Sequence, residues 1–127
     1  MLLDSNSIIY SIKQEFIKLR QLIAENSPAV SAISYVEVLG YHQLTESDEQ
    51  DFVEFFDTAR TIPVSQAILE QAVKLRQERK MSLGDSIIAA KAILNNLTLI
   101  TANVADFKWI PNIKLLDPLA QESNLQA

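Results

Sequence analysis

Apolar positions fall in short blocks along the chain, and the spacing within the blocks alternates between two kinds. The first three residues are apolar without a break and stop at Asp4. A run this short predicts a buried strand. From Ile8 the apolar positions spread out, and Tyr10, Phe16, Leu19, Leu22 and Ile23 carry helical spacing over 8–24. Asn26-Ser27-Pro28 ends that helix. Further short strands are expected over 29–31, 61–64, 97–101 and 114–116, with Pro63 suited to an edge or a strand end. Helices are expected between them. One runs over 33–44 with a stripe of Ile33, Val36, Gly40, Tyr41 and Leu44. The next opens with Ser47 and Gln50 as a capping box and carries Phe52, Phe55, Phe56 and Ala59. Another is capped by Ser65 and carries Ile68, Leu69, Ala72, Val73 and Leu75, and the last spans 83–95.

Strands that alternate with helices imply an α/β fold with three layers: a mostly parallel central sheet of 4–5 short strands, with helices on both faces. In such sheets, ligands bind beyond the carboxyl ends of the strands. Asp4 stands at the carboxyl end of the first strand. It is a poor strand residue and a good helix cap, so capping the helix that follows is its plain role.

Composition narrows the picture. The 127 residues suit one domain, with 48% hydrophobic content to supply a core. Residues 1–118 are expected to form it, and 119–127 a frayed polar tail. No apolar run approaches a membrane span, and the first residues lack the basic region of a signal peptide, so a cytoplasmic place without membrane contact is expected. The chain has no cysteine, which excludes thiol nucleophiles and thiolate metal sites. Its single histidine, His42, excludes chemistry that needs two and reads as a surface residue. The net charge is −5, so any nucleic-acid chemistry must rely on local cations or a metal ion.

Among sixteen acids, four stand out. Asp4 follows a strand. Glu37 lies among the apolar positions of its helix and is expected to face the sheet, where it needs a cation, a proton or a metal. Its plain reading is a rim residue paired with Lys or Arg. Asp85 lies on the inward side of the first turn of its helix, with Ile88, Ala89 and Ala92 after it; complementing the helix dipole would explain it equally. Asp106 follows the fourth strand in TANVADF, a stretch that reads alone as a polar turn. Four carboxylates from four segments at one sheet edge would repel one another, and a divalent cation relieves this. Mg²⁺ and Mn²⁺ favour such oxygens, and four acids leave room for one or two ions.

In order and spacing, these residues resemble the PIN-domain ribonucleases, and within them the small VapC-like toxins of type II toxin–antitoxin systems. The resemblance covers nearly the whole chain. It rests on LLDSN (Asp4, Ser5, Asn6), ISYVEVLGY (Glu37), GDSIIAAKA (Asp85), LITANVADF (Thr101, Asn103, Asp106) and the final IPNIKLLDP. The family often has Arg where this chain has Ala102, and Pro where it has Gly84. The resemblance implies a metal-dependent endoribonuclease. Asp4, Glu37, Asp85 and Asp106 would hold Mg²⁺ or Mn²⁺, with Ser5, Asn6, Thr101 and Asn103 supporting them. It also implies a homodimer and a cognate antitoxin that places a basic residue among the acids.

Two other readings are weighed. A response-regulator receiver needs an acceptor Asp after the third strand, and here Val64-Ser65 follows it. A catalytically inactive PIN-like domain that binds RNA or protein would keep the fold without the reaction. The densest basic run, KLRQERK at 74–80, ends a helix, where cations are favoured in any case, and could contact an RNA backbone. Phe107 and Trp109 could stack on a base or close the core.

Overall fold

The computed structural model describes residues 1–120. Five two- or three-residue strands form one sheet: β1 (Leu2–Leu3), β2 (Ala29–Ser31), β3 (Thr61–Ile62), β4 (Leu99–Ile100) and β5 (Leu115–Leu116). Their order is β3-β2-β1-β4-β5, and every pairing is parallel. The first strand is therefore central, with β2 and β4 on either side, and the chain order reverses across it. That reversal is the switch point beside which ligands bind in such sheets.

The strands are short, yet the two-residue period of a strand still divides the core. Leu2, Ala29 and Leu99 face one side and pack with Ile68, Ala72, Leu75, Ile87 and Ile88. Leu3, Val30 and Ile100 face the other, with Ile8, Leu19, Val38, Phe52 and Phe56. Helices α1 (Ser5–Tyr10), α2 (Ile17–Asn26), α3 (Ala32–Leu39) and α4 (Glu46–Thr58) supply the second group. Helices α5 (Gln66–Glu78) and α6 (Leu83–Leu94) supply the first. A seventh, single-turn helix, α7 (Val104–Phe107), follows β4.

Several local expectations need correcting. The helix expected over 8–24 is two helices, α1 and α2, parted by turns around Lys13 and Phe16. The helix over 46–58 is capped by Thr45, whose hydroxyl accepts from the Asp48 N–H (3.1 Å), and not by Ser47. The third strand ends at Ile62, so Pro63 lies beyond it. TANVADF is not merely a turn, because its last four residues form α7. The helix expected over 33–44 stops at Leu39, and the strand expected over 97–101 is only Leu99–Ile100; Ser65 caps α5 and His42 is exposed, as expected. From residue 121 the expected tail lies outside the described residues.

α6 is the most deeply set helix, with Ser86 through Ala92 all buried. A helix without a polar face must be enclosed on all sides. Lys91 is enclosed with it and is completely buried. Its Nζ donates to Ser31 Oγ and to the Ile62 carbonyl, both at 2.6 Å. It thereby bridges the carboxyl ends of β2 and β3.

Candidate active site

Asp4 leaves β1 at the centre of the sheet and is 4% exposed. Its Oδ1 accepts from the Ser7 N–H at 2.8 Å, which caps α1. Capping is thus real, but it uses one oxygen. No buried side-chain oxygen or nitrogen among the described residues lacks a hydrogen bond. Oδ2 takes no part in the cap. Helix capping fixes the carboxylate and leaves half of it to bind something else.

Glu37 departs from its expected setting. The buried positions of α3 are Ser34 and Val38, whereas Val36 is 68% exposed and Tyr41 46%. The stripe read from the sequence is rotated from the face that packs, and Glu37 is exposed at the rim. Its partner there is not a Lys or Arg. Ser5 Oγ lies 2.7 Å from Glu37 Oε1 and 2.9 Å from Ser34 Oγ. A hydroxyl carries one hydrogen and a carboxylate can only accept. Ser5 therefore donates to Glu37 and accepts from Ser34, which is fully buried. This short relay aims the carboxylate. Gly84 makes room for it: a Cβ there would come within 2.5 Å of Glu37 Oε2. The departure at position 84 thus bears directly on one of the four acids.

Asp85 occupies the first turn of α6, behind the N-cap Ser82, whose Oγ accepts from the Asp85 N–H at 3.1 Å. Its carboxyl is pushed above the ordinary range chiefly by burial, and further by the charges of Asp106, Asp4 and Glu37, against a hydrogen bond from Ser82. All three other acids act on it, so the four share one electrostatic neighbourhood. Asp106 is exposed on α7 and lines a groove of about 710 Å³ with Asp85.

The supporting residues divide. Ser5 is engaged as described. Thr101 is fully buried, and its Oγ1 accepts from the Asn103 N–H at 3.0 Å, which shapes the turn leading to Asp106. Asn103 is exposed at the N-cap position of α7 without a side-chain capping bond. Asn6 is exposed and lines a different groove, beside Tyr41 and Asp48. Sequence reasoning missed Ser34, Ser82 and Lys91. The signal for Lys91 was its place as the one polar residue between Ile87 and Leu94.

The donor set suits a hard divalent cation: every candidate ligand is a carboxylate oxygen, one of them pre-oriented by a cap and another by a hydroxyl. Among the described residues, however, no three acids or histidines stand close enough to form a ready-made metal cluster. The mutual repulsion felt at Asp85 opposes closer approach until a cation offsets it.

The family model of the PIN domain matches residues 1–110. No curated protein matches the sequence. Among solved structures, a toxin–antitoxin complex from Klebsiella pneumoniae contains a chain 36% identical to this one, with 92% of this chain and 96% of that one covered and a TM-score of 0.74. VapBC2 from Rickettsia felis, bound to a DNA fragment from its promoter, is similar at 27% identity over 91% and 96% of the two chains, with a TM-score of 0.77. DNA-bound VapBC from Salmonella typhimurium shares the fold, with a TM-score of 0.79 at 23% identity over 92% and 96%.

Proposed function

The chain belongs to the PIN-domain family and is VapC-like, and from that premise we propose that it is a metal-dependent endoribonuclease, the toxin of a type II toxin–antitoxin pair. The observation that carries this reading is the setting of Asp85: burial chiefly, and then the charges of Asp106, Asp4 and Glu37, raise its proton affinity. An arrangement this unfavourable for bare anions is what a cation site requires.

Asp4, Glu37, Asp85 and Asp106 would hold Mg²⁺ or Mn²⁺, as one or two ions. Such an ion supplies an acidified water and offsets charge on a phosphodiester undergoing hydrolysis. The chain's own residues do the positioning. The α1 cap holds Asp4 through Oδ1 and leaves Oδ2 out of the cap. Ser34 and Ser5 hold Glu37. Thr101 sets the turn that presents Asn103 and Asp106. A cognate antitoxin and a homodimer are part of the proposal. An acidic site of this kind favours a partner that inserts a basic side chain. A cytoplasmic place is consistent with it; among the described residues no helix is long and apolar enough to cross a membrane.

A second reading, a PIN-like interaction domain without catalysis, draws support from the lack of a preformed acid cluster among the described residues. One experiment separates the two. The purified, antitoxin-free protein is incubated with structured and single-stranded RNAs, with and without Mg²⁺ or Mn²⁺. Metal-dependent cleavage that is lost in Asp4→Asn and Asp85→Asn is expected. Cleavage that survives both substitutions, or that ignores metal, refutes the mechanism; no cleavage under any condition favours the interaction domain.

A further inference from the structure

The groove that contains Asp85 and Asp106 is also lined by cations. Arg76, Arg79 and Lys80, at and beyond the C-terminus of α5, line it together with Trp109. All three cations are exposed. The Arg76 Nε donates to the Met81 carbonyl at 3.3 Å, which anchors its guanidinium at the lip. The Arg79 guanidinium lies over the Trp109 ring, 5.3 Å from its centroid. The indole Nε1 donates to the Asp106 carbonyl at 3.0 Å. This cation–aromatic pair is therefore tied to the segment that carries one of the acids.

Resting on the ribonuclease reading, we propose that this groove binds the single-stranded nucleotides flanking the scissile phosphate. Their phosphates sit on Arg76, Arg79 and Lys80, and one unpaired base sits on the Arg79–Trp109 stack. Cations neutralise phosphates, and guanidinium and indole planes stack on bases that are not already paired. Three exposed cations in the groove favour a polyanion as its occupant. An RNA strand whose reacting phosphate lies at the acids, with their charge offset by metal, meets positive charge along the rest. The net charge of −5 makes this local patch the more distinctive.

Trp109 is the only tryptophan, so its emission reports the stack without any substitution. The full chain is titrated with a short, fluorescein-labelled, uridine-rich single-stranded RNA, once with metal chelated and once with Ca²⁺. Anisotropy and Trp109 fluorescence are read together. A saturable quench with the same midpoint as the anisotropy change is expected. The variant Arg76→Gln/Arg79→Gln/Lys80→Gln should lower the salt slope of log K by about 2, from about 0.7 per lost phosphate contact. A fourfold rise in salt then weakens the wild type about 20-fold more than the variant. Lys74→Gln, in the same basic run but outside the groove, should behave as wild type. Binding in neither condition, no quench, an unchanged slope in the triple variant, or an equal loss with Lys74→Gln overturns the proposal. So does a triple variant that keeps RNA binding but loses a co-expressed partner protein. Mn²⁺-dependent cleavage is scored separately. Intact cleavage with unchanged RNA binding in the triple variant sinks the groove alone. RNA bound as expected but never cut sinks the ribonuclease reading and leaves the groove standing.

Discussion

Lys91→Met should remove a pH dependence from the protein's stability. Lys91 is completely buried, and among the described residues its side-chain partners are two neutral oxygens, Ser31 Oγ and the Ile62 carbonyl. Burial without a counter-charge lowers its pKa from 10.5 to about 8. The sign follows from proton counting. Below pH 8 both folded and unfolded chains carry the proton, and the folded state bears the full cost of the buried charge. Between pH 8 and 10.5 the folded chain releases the proton while the unfolded chain keeps it, so stability rises with pH across that window. The cost is about 3 kcal/mol at pH 7 and falls to about 1 kcal/mol at pH 10. Methionine keeps most of the volume and carries no charge, but it leaves the Ile62 carbonyl without its donor, at about 1–3 kcal/mol. The two effects nearly cancel at pH 7, where wild type and variant should agree within about 2 kcal/mol. At pH 10 the wild type should have gained on the variant by about 2 kcal/mol. Urea unfolding of both proteins at the two pH values, followed by circular dichroism, gives the four numbers. Other titrating groups cancel in the double difference. An identical stability difference at pH 7 and pH 10 would refute the argument, because Lys91 would then be titrating as an ordinary exposed lysine.

Three further outcomes are expected. Asp85→Asn should raise the melting temperature of the metal-free protein at neutral pH. The raised carboxyl pKa means that stability is lost as pH climbs through the folded value, and the amide escapes that loss. Mg²⁺ or Mn²⁺ should stabilise the wild type and not this variant, and a lower melting point in EDTA would contradict the account. Ser5→Ala frees Glu37 from its only hydroxyl donor among the described residues and should slow cleavage about 10- to 100-fold, with little change in thermal melting. An unaltered rate would show that the relay does not aim the carboxylate. Phe52→Ala, at a site 2% exposed in the α1–α4 core, should cost about 3–5 kcal/mol in chemical denaturation; a loss below about 1 kcal/mol would mean that α4 packs otherwise.

The order of strands and helices was legible because composition changes abruptly along the chain: an apolar triplet ends at Asp4, Asn26-Ser27-Pro28 ends a helix, and Ser65 marks a helix start. Two-residue strands offered no period to read. The split of the core into a Leu2, Ala29, Leu99 face and a Leu3, Val30, Ile100 face appears only once the strands pair. The rotated face of α3 has the same origin. Val36 and Tyr41 fit an apolar stripe as well as Ser34 and Val38 fit a buried one, and hydropathy alone prefers the wrong set. Ser34 lies inside because its hydroxyl supports Ser5, a contact 29 residues away in sequence.

By itself, the sequence determined an alternating α/β chain, an Asp directly after the first strand, and an ordered set of four acids that resembles a known nuclease pattern. Those features depend on local composition and spacing, which a linear reading can count. Only the tertiary structure decided that a buried lysine ties β2 to β3 and that Ser34 supports Ser5 against Glu37. It alone set Arg79 and Trp109 beside Asp106. Each of these depends on which distant segment supplies a hydrogen-bond partner or a charge, and a parallel sheet brings such segments together only after the chain has crossed back over itself.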